Sequence, residues 1–329
     1  MGKLINKLKK YHMGQEIILL GFIVVLIIII SLVSGKAYSF ESFLDTLKSS
    51  SPYMIWAVGV LLVMLSGGID ISFSSIAAVT AYLTLFYQNN TGRGNLFLSI
   101  LIAGLMGLCL GLFNATLISI FDLPAMIVTL ATSNIFFGAL LNSVPTAHLN
   151  KVPSWISKFG ASRIFTLTNK AGNPYGLSSM AFTAIVIMVI FAILLKYTSL
   201  GRNIYALGSS REAARRAGIS IVKTQFAIYM TVGFLSGIAS ILSASMISYV
   251  QPFNIQGVTM DVIAAVVLGG ASLTGGKGSI FGSFLGVLLI FLIKNSLVQL
   301  GIPSEWDSVL VGSVLIISIG ITMLKSDKR

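Results

Sequence analysis

Residues 96–120 read LFLSILIAGLMGLCLGLFNATLISI, an unbroken stretch without a charged side chain. At ~1.5 Å per residue it is long enough, as a helix, to cross a ~30 Å hydrocarbon core. It is apolar on every face, whereas the strands of a membrane barrel alternate apolar and polar residues. Lipid offers no hydrogen bonds, so backbone polar groups must be satisfied within the spanning element. The stretch reads as a transmembrane helix.

Comparable runs lie on either side, at 15–35, 124–144, 179–195, 224–249, 278–300 and 305–324. The 329 residues are 55% hydrophobic and only 10% charged, where a soluble domain carries ~25% charge. The expected fold is therefore an all-α integral membrane protein. The first run follows Lys3, Lys7, Lys9 and Lys10, but it exceeds a signal-peptide core and no A-x-A site follows, so it reads as the first span. Pro124 suits a first helical turn, which makes Asp122-Leu123-Pro124 a tight turn between spans.

Two regions resist a simple count. Residues 53–86 would be about 50 Å long as one helix, and they contain Ser66-Gly67-Gly68-Ile69-Asp70. Residues 258–300 are interrupted by Gly269-Gly270 and by Gly275-Gly276-Lys277-Gly278. Splitting both gives about ten transmembrane segments, two of them short, at 53–66 and 258–273. The breaks fall in corresponding places of the two halves, which points to an internal repeat. In many transporters paired interruptions mark the substrate pathway; glycine turns at the membrane surface give the same pattern. Gly67, Gly68, Asp70, Gly269, Gly270, Gly275 and Gly276 are thus candidates for pathway or helix-break positions. Asp70 either caps the helix after the break or faces the pathway. Asp261 is a candidate functional acid or an outer-end cap, and Lys294 snorkels or pairs with a neighbouring helix.

Charge sets the orientation. With both termini cytoplasmic, the 1–14 tail, the 196–223 loop, the Lys277 turn and the 325–329 tail hold 14 of the 22 Lys and Arg residues, against 7 outside. That is the asymmetry of the positive-inside rule. The net charge of +12 is explained by these loops and by anionic lipid, and no groove-sized basic stripe marks a nucleic-acid binder. Cys109 is the only cysteine, so no intramolecular disulfide or thiolate cluster forms, and it reads as a small packing residue. Asn89-Asn90-Thr91 fits a glycosylation sequon but reads as a polar loop. His12 and His148 lie in the tail and in the outer loop 148–177, and no metal cluster or nucleophile–base pair falls in the spans. No catalytic residue, metal or cofactor is expected.

Within the transmembrane domain 15–324, the 196–223 loop holds Ser209-Ser210-Arg211-Glu212-Ala213-Ala214-Arg215-Arg216-Ala217-Gly218. Ser209 and Glu212 have capping-box spacing, and Gly218 fits a left-handed stop. A helix of about two turns is marginal alone in water, so it needs a partner surface. Lipid headgroups attract its arginines; its alanines and glycine stop fit a protein groove.

The Glu212-Ala213-Ala214 triplet followed by Gly218 resembles the coupling motif of bacterial ATP-binding-cassette (ABC) importer permeases. Gly201-Arg202-Asn203-Ile204-Tyr205-Ala206-Leu207-Gly208, the run Ile263 through Gly270 with Gly275-Gly276-Lys277-Gly278, Ser66 through Ser72 and Leu123 through Leu130 are similar to the ribose, galactose and xylose permease family. The resemblance runs from about residue 60 to residue 320. It implies a permease subunit that carries a monosaccharide-like solute across the bacterial cell membrane. It also implies a cytoplasmic ATPase that binds the ATP, a second permease subunit, identical or paralogous, and an external sugar-binding protein. Arg211, Glu212, Ala213, Ala214 and Gly218 would then contact the ATPase. The second glycine cluster misses a phosphate-binding loop, which needs Gly where Ala271 stands and Ser or Thr at Gly278. The alternative is an ion-coupled carrier using Asp70 and Asp261, which has no use for a coupling helix.

Overall fold

A computed structural model describes residues 14–34, 38–144, 148–169 and 171–299, together with isolated positions between 303 and 316. The described part is almost entirely helical. Its helices are α1 (Gly14–Ser34), α2 (Phe40–Leu65), α3 (Phe73–Thr91), α4 (Leu96–Ile120), α5 (Ala125–Ser143), α6 (Ser154–Ala161), α7 (Ser179–Tyr197), α8 (Ser199–Ser209), α9 (Arg211–Arg216), α10 (Ile221–Ile247), α11 (Pro252–Gly257), α12 (Thr259–Leu268) and α13 (Ile280–Gln299). Six are long and apolar enough to cross a membrane: α2, α4, α5, α7, α10 and α13. The expected span 305–324 and the tails at 1–13 and 325–329 lie outside the described residues, apart from isolated positions in the first.

The short segment expected at 53–66 is corrected. Helix α2 begins at Phe40, capped by Ser39, whose Oγ accepts from the Ser42 N–H at 3.1 Å. It runs straight through Pro52. Pro52 has no N–H to offer the carbonyl of Lys48, and the hydroxyl of Ser51 donates to that carbonyl instead, at 2.7 Å. Polar residues before the apolar run had concealed the first half of the helix. The second expected short segment, 258–273, holds α12, and the one-and-a-half-turn α11 precedes it.

Helix α3 is the hub, although it is too polar to rank among the six. Its Phe73, Ala77, Ala78, Ala81 and Tyr82 are fully buried, and a polar stripe ties it to its neighbours. Ser74 bonds Thr259 at 2.6 Å, Ser75 bonds Ser133 at 2.7 Å, and Thr80 bonds Ser240 at 3.2 Å. The Ser99 hydroxyl donates to Gln88 at 2.7 Å. In lipid, where apolar contact between helices gains little over contact with acyl chains, small residues and interhelical hydrogen bonds hold a bundle together.

Helices α4 and α10 pack backbone against backbone. A Cβ on Gly107 would lie 2.1 Å from the Gly233 carbonyl oxygen, and one on Gly237 would lie 2.1 Å from that of Ala103. Only glycine permits this approach. The 148–177 loop is likewise not a free strand of chain: α6 docks on the end of α10, where a Cβ on Gly160 would meet the Ser245 carbonyl at 1.9 Å. A two-stranded hairpin, β1 (Leu167–Thr168) with β2 (Pro174–Tyr175), completes that loop.

Candidate functional site

Helices α8 and α9 form the candidate site, and their separation comes from one residue. Ser210 has extended backbone, φ −164°, which ends α8, and its Oγ accepts from the Ala213 N–H at 3.2 Å to start α9. Ser210 is therefore the N-cap in place of the expected Ser209, which is the last residue of α8 and donates to the Tyr205 carbonyl at 2.8 Å. The stop at Gly218 is as expected. Its φ is +78°, its N–H bonds the Arg215 carbonyl, and the Ile219 N–H bonds that of Ala214, both at 3.0 Å. That is a Schellman ending, which satisfies the orphan carbonyls of the last turn.

The two alanines part company. Ala214 is only 3% exposed and packs into the chain itself, which anchors the short helix to its own chain. Arg211, Glu212, Ala213, Arg215, Arg216 and Gly218 are all exposed. Glu212 and Arg216 pair one turn apart, a surface contact of about 0.3–0.5 kcal/mol. Arg211 pairs with Asp122 in the α4–α5 turn, where Asp122 holds a left-handed φ of +53°. The short helix is thus tied at its start to a neighbouring turn while most of its surface remains open.

Behind it lies a joint that brings three distant glycine segments together. A Cβ on Gly208 would sit 1.8 Å from the Leu65 carbonyl oxygen and 2.6 Å from the Gly276 nitrogen. The Gly276 N–H donates to that Leu65 carbonyl at 3.0 Å, and a Cβ on Gly275 would lie 2.8 Å from the Gly67 Cα. Tyr205 donates its hydroxyl to the Gly278 carbonyl at 2.9 Å. Burial pushes the Tyr205 phenol above its usual pKa, so it stays a neutral donor at ordinary pH. The two glycine breaks, remote in sequence, meet each other and the end of α8.

Both breaks use one device. Gly67, with φ +87°, bonds the Met64 carbonyl while Gly68 bonds that of Val63; Gly270, with φ +94°, bonds Val267 while Ala271 bonds Val266. These are two more Schellman endings, on α2 and α12. Gly269 packs against Gly282 on α13, where a Cβ would lie 2.4 Å from a carbonyl oxygen. Gly68 is wedged between Ala125, Tyr229 and Val63, each 3.2 Å from where its Cβ would be.

Asp70 is buried in the first break. Its Oδ1 accepts from the Ser72 N–H at 2.7 Å and the Ser72 hydroxyl at 2.6 Å, and Asn114 donates to that hydroxyl at 2.7 Å. This is an Asx-type turn inside the linker, so Asp70 shapes the break at the start of α3. Asp261 and Lys294 are brought together, 2.5 Å apart and about four-fifths buried between α12 and α13. Each neutralises the other where a lone charge would be costly. Among the described residues no group of three or more potential metal ligands occurs.

Sequence reasoning missed the α3 polar stripe and the α4–α10 glycine contact. The signals were present: Ser75, Ala78, Tyr82 and Phe86 alternate by turns with Ser74, Thr80, Thr84 and Gln88, and Gly107, Gly111, Gly233 and Gly237 have small-xxx-small spacing.

A family profile described as "Branched-chain amino acid transport system / permease component" matches residues 42–319. The chain is 31% identical over 315 residues to the "Probable ABC transporter permease protein y4mJ" of Sinorhizobium fredii, covering 95% of this chain and 91% of the relative. It is 29% identical to the "Autoinducer 2 import system permease protein LsrC" of Photorhabdus luminescens, over 94% of this chain and 90% of that one. It is 32% identical to the "Fructose import permease protein FruG" of Bifidobacterium longum, over 90% of this chain and 88% of that one. No solved structure matches it.

Proposed function

Because the chain belongs to the branched-chain amino acid transport system permease component family, we propose that it is the permease subunit of an ABC importer for a monosaccharide-like solute. It is a multi-pass protein of the bacterial cell membrane. Near-full-length similarity to permeases named for autoinducer 2 and fructose carries the assignment, and it favours this function over an ion-coupled carrier. The chain itself is then not an ATPase. Its partners are a cytoplasmic ATPase that binds the ATP, a second permease subunit and an external solute-binding protein.

The exposed surface of α9, formed by Arg211, Glu212, Ala213, Arg216 and the sharp stop at Gly218, supports docking in a cleft of the ATPase. Closure of the ATPase displaces α9, and α8 carries the displacement to the joint at Gly208. There the ends of α2 and of the 269–278 linker abut α8 backbone to backbone, with no flexible side chain between them to absorb motion. The helix breaks therefore act as levers between ATPase and pathway, with Gly67, Gly68, Gly269, Gly270, Gly275 and Gly276 as pivots and Asp70 holding the first in shape. Isolation of the tagged chain from its native membrane is expected to bring down a separate ATPase subunit; isolation of an ATPase-free permease under gentle detergent conditions contradicts the assignment.

The topology that fits is ten segments with both tails and 196–223 cytoplasmic and 148–177 external. The 27 residues of α10 span about 40 Å between α9 and the outer loop, consistent with opposite membrane faces. With Cys109 replaced by Ala, Lys158→Cys is expected to react with an impermeant thiol reagent in intact cells. Reaction only after lysis overturns the orientation.

A further inference from the structure

At the end of α10 away from the coupling helix, the chain makes a small open cavity of about 280 Å³, lined by His148, Asn150, Tyr249 and Gln251. Its construction follows from one backbone pairing. Ser248 takes a left-handed φ of +59° and ends α10, and after the bend at Tyr249 the chain is extended at Val250 and Gln251. Val250 then exchanges hydrogen bonds with Leu149, N–H to carbonyl, at 2.9 and 2.8 Å. Side chains alternate across an extended pair. Leu149 and Val250 turn into the core, with Val250 fully buried, and the residues flanking both are set on the other face.

The lining is preorganised. The Lys151 carbonyl, next to Asn150, accepts from the Asn89 side chain at 2.7 Å. The Gln251 side-chain Oε1 accepts from the Asn254 side-chain amide at 2.8 Å, which orients the Gln251 N–H2 as a donor. Tyr249 contributes an exposed aromatic face. Carboxamides and an imidazole both donate and accept, as hydroxyl groups do, and an aromatic face suits the C–H face of a sugar ring. Among the described residues no carboxylate, ammonium or guanidinium group lines the cavity. A zwitterionic amino acid would find no carboxylate, ammonium or guanidinium partner among these four side chains.

The geometry points to this cavity as a solute subsite at the external mouth of the permease, with Tyr249 and Gln251 as specificity-determining contacts for a neutral polyhydroxylated ring. The assignment rests on the importer function and topology proposed above. Its size, close to the ~300 Å³ lower bound of ligand pockets, suits a molecule as small as a single sugar ring.

The test uses the complete complex of permease, ATPase and binding protein in proteoliposomes, with D-fructose, D-ribose, D-xylose, D-galactose and L-leucine as probes. Tyr249→Ala and Gln251→Ala are expected to change the ratio of uptake rates between sugars by about two- to tenfold, the worth of one neutral hydrogen bond or contact. Lys151→Ala, which keeps its backbone carbonyl, leaves the ratios unchanged. Tyr249→Phe and Gln251→Asn repeat the test with nearly conserved shape, should either alanine variant insert poorly. Unaltered ratios overturn the subsite. A uniform fall for every sugar also overturns it and makes the face a docking surface for the binding protein. A wild-type complex that moves leucine and no sugar instead overturns the sugar assignment itself, and the neutral-ring chemistry of the cavity with it.

Discussion

Replacing Gly208 by alanine is expected to abolish transport, although it adds a single methyl group. That carbon would lie 1.8 Å from the Leu65 carbonyl oxygen and 2.6 Å from the Gly276 nitrogen, the two atoms that hydrogen-bond each other across the joint. Both obstacles are backbone, so no rotamer change relieves the overlap, and the strands of the joint must separate. Overpacking of a rigid site costs about 1–3 kcal/mol or more, and the hydrogen bond lost with it adds about 1 kcal/mol. Gly67→Leu is expected to follow the same course through strain at φ +87°, which a side chain rarely adopts. Gly21→Ala is the control: nothing lies within 4 Å of its Cβ position, and its effect is expected within about 0.5 kcal/mol. The measurements are the amount of protein in the membrane, its thermal stability in detergent and solute uptake. Wild-type stability and uptake in Gly208→Ala contradict the joint.

Ala213→Trp is expected to leave the permease folded and inserted while reducing uptake at least about tenfold, the consequence of losing about 1.4 kcal/mol of partner contact. Ala213 is exposed, so an indole there meets nothing within the chain and acts only on what docks against α9. Ala214→Trp is the wrong probe, because a buried anchor would unseat the helix from its own permease. Gly218→Val adds a second, independent perturbation. Space is open around its Cβ position, but φ is +78°, so a β-branched residue strains the Schellman stop by about 1–3 kcal/mol and swings the helix end. Normal uptake in both variants, with an ATPase still bound, contradicts the role given to α9.

Much of this was legible in the sequence because lipid makes composition decisive. The 96–120 run became α4 with the same bounds, the Asp122-Leu123-Pro124 turn formed, and both glycine clusters are helix breaks. Local rules carried the Gly218 stop as well. They failed where two residues competed for one role: Ser209 has the capping-box spacing, yet Ser210 takes the extended backbone and the cap. They also failed where a penalty was relieved from outside the pattern, as at Pro52, whose lost hydrogen bond is replaced by the Ser51 hydroxyl.

What the sequence hid is tertiary. That Gly67, Gly208 and Gly275 occupy one point follows from how α2, α8 and the 269–278 linker cross, which no periodicity encodes. Helix α3 looked like the less apolar half of a long segment, because its buried face carries hydroxyls that find partners on α5, α10 and α12. The same holds for Asp261 and Lys294, each a candidate functional group alone and a mutual partner once α12 lies against α13.

The most direct test of the central claim is the energy source of uptake. Proteoliposomes would contain the wild-type chain, its ATPase and solute-loaded binding protein, with ATP supplied only on the face that carries α9. Solute is expected to accumulate with ATP hydrolysis, to keep accumulating when a protonophore and a sodium ionophore collapse the ion gradients, and to stop in Ala213→Trp vesicles. Accumulation without ATP that the ionophores abolish would contradict the account and identify an ion-coupled carrier.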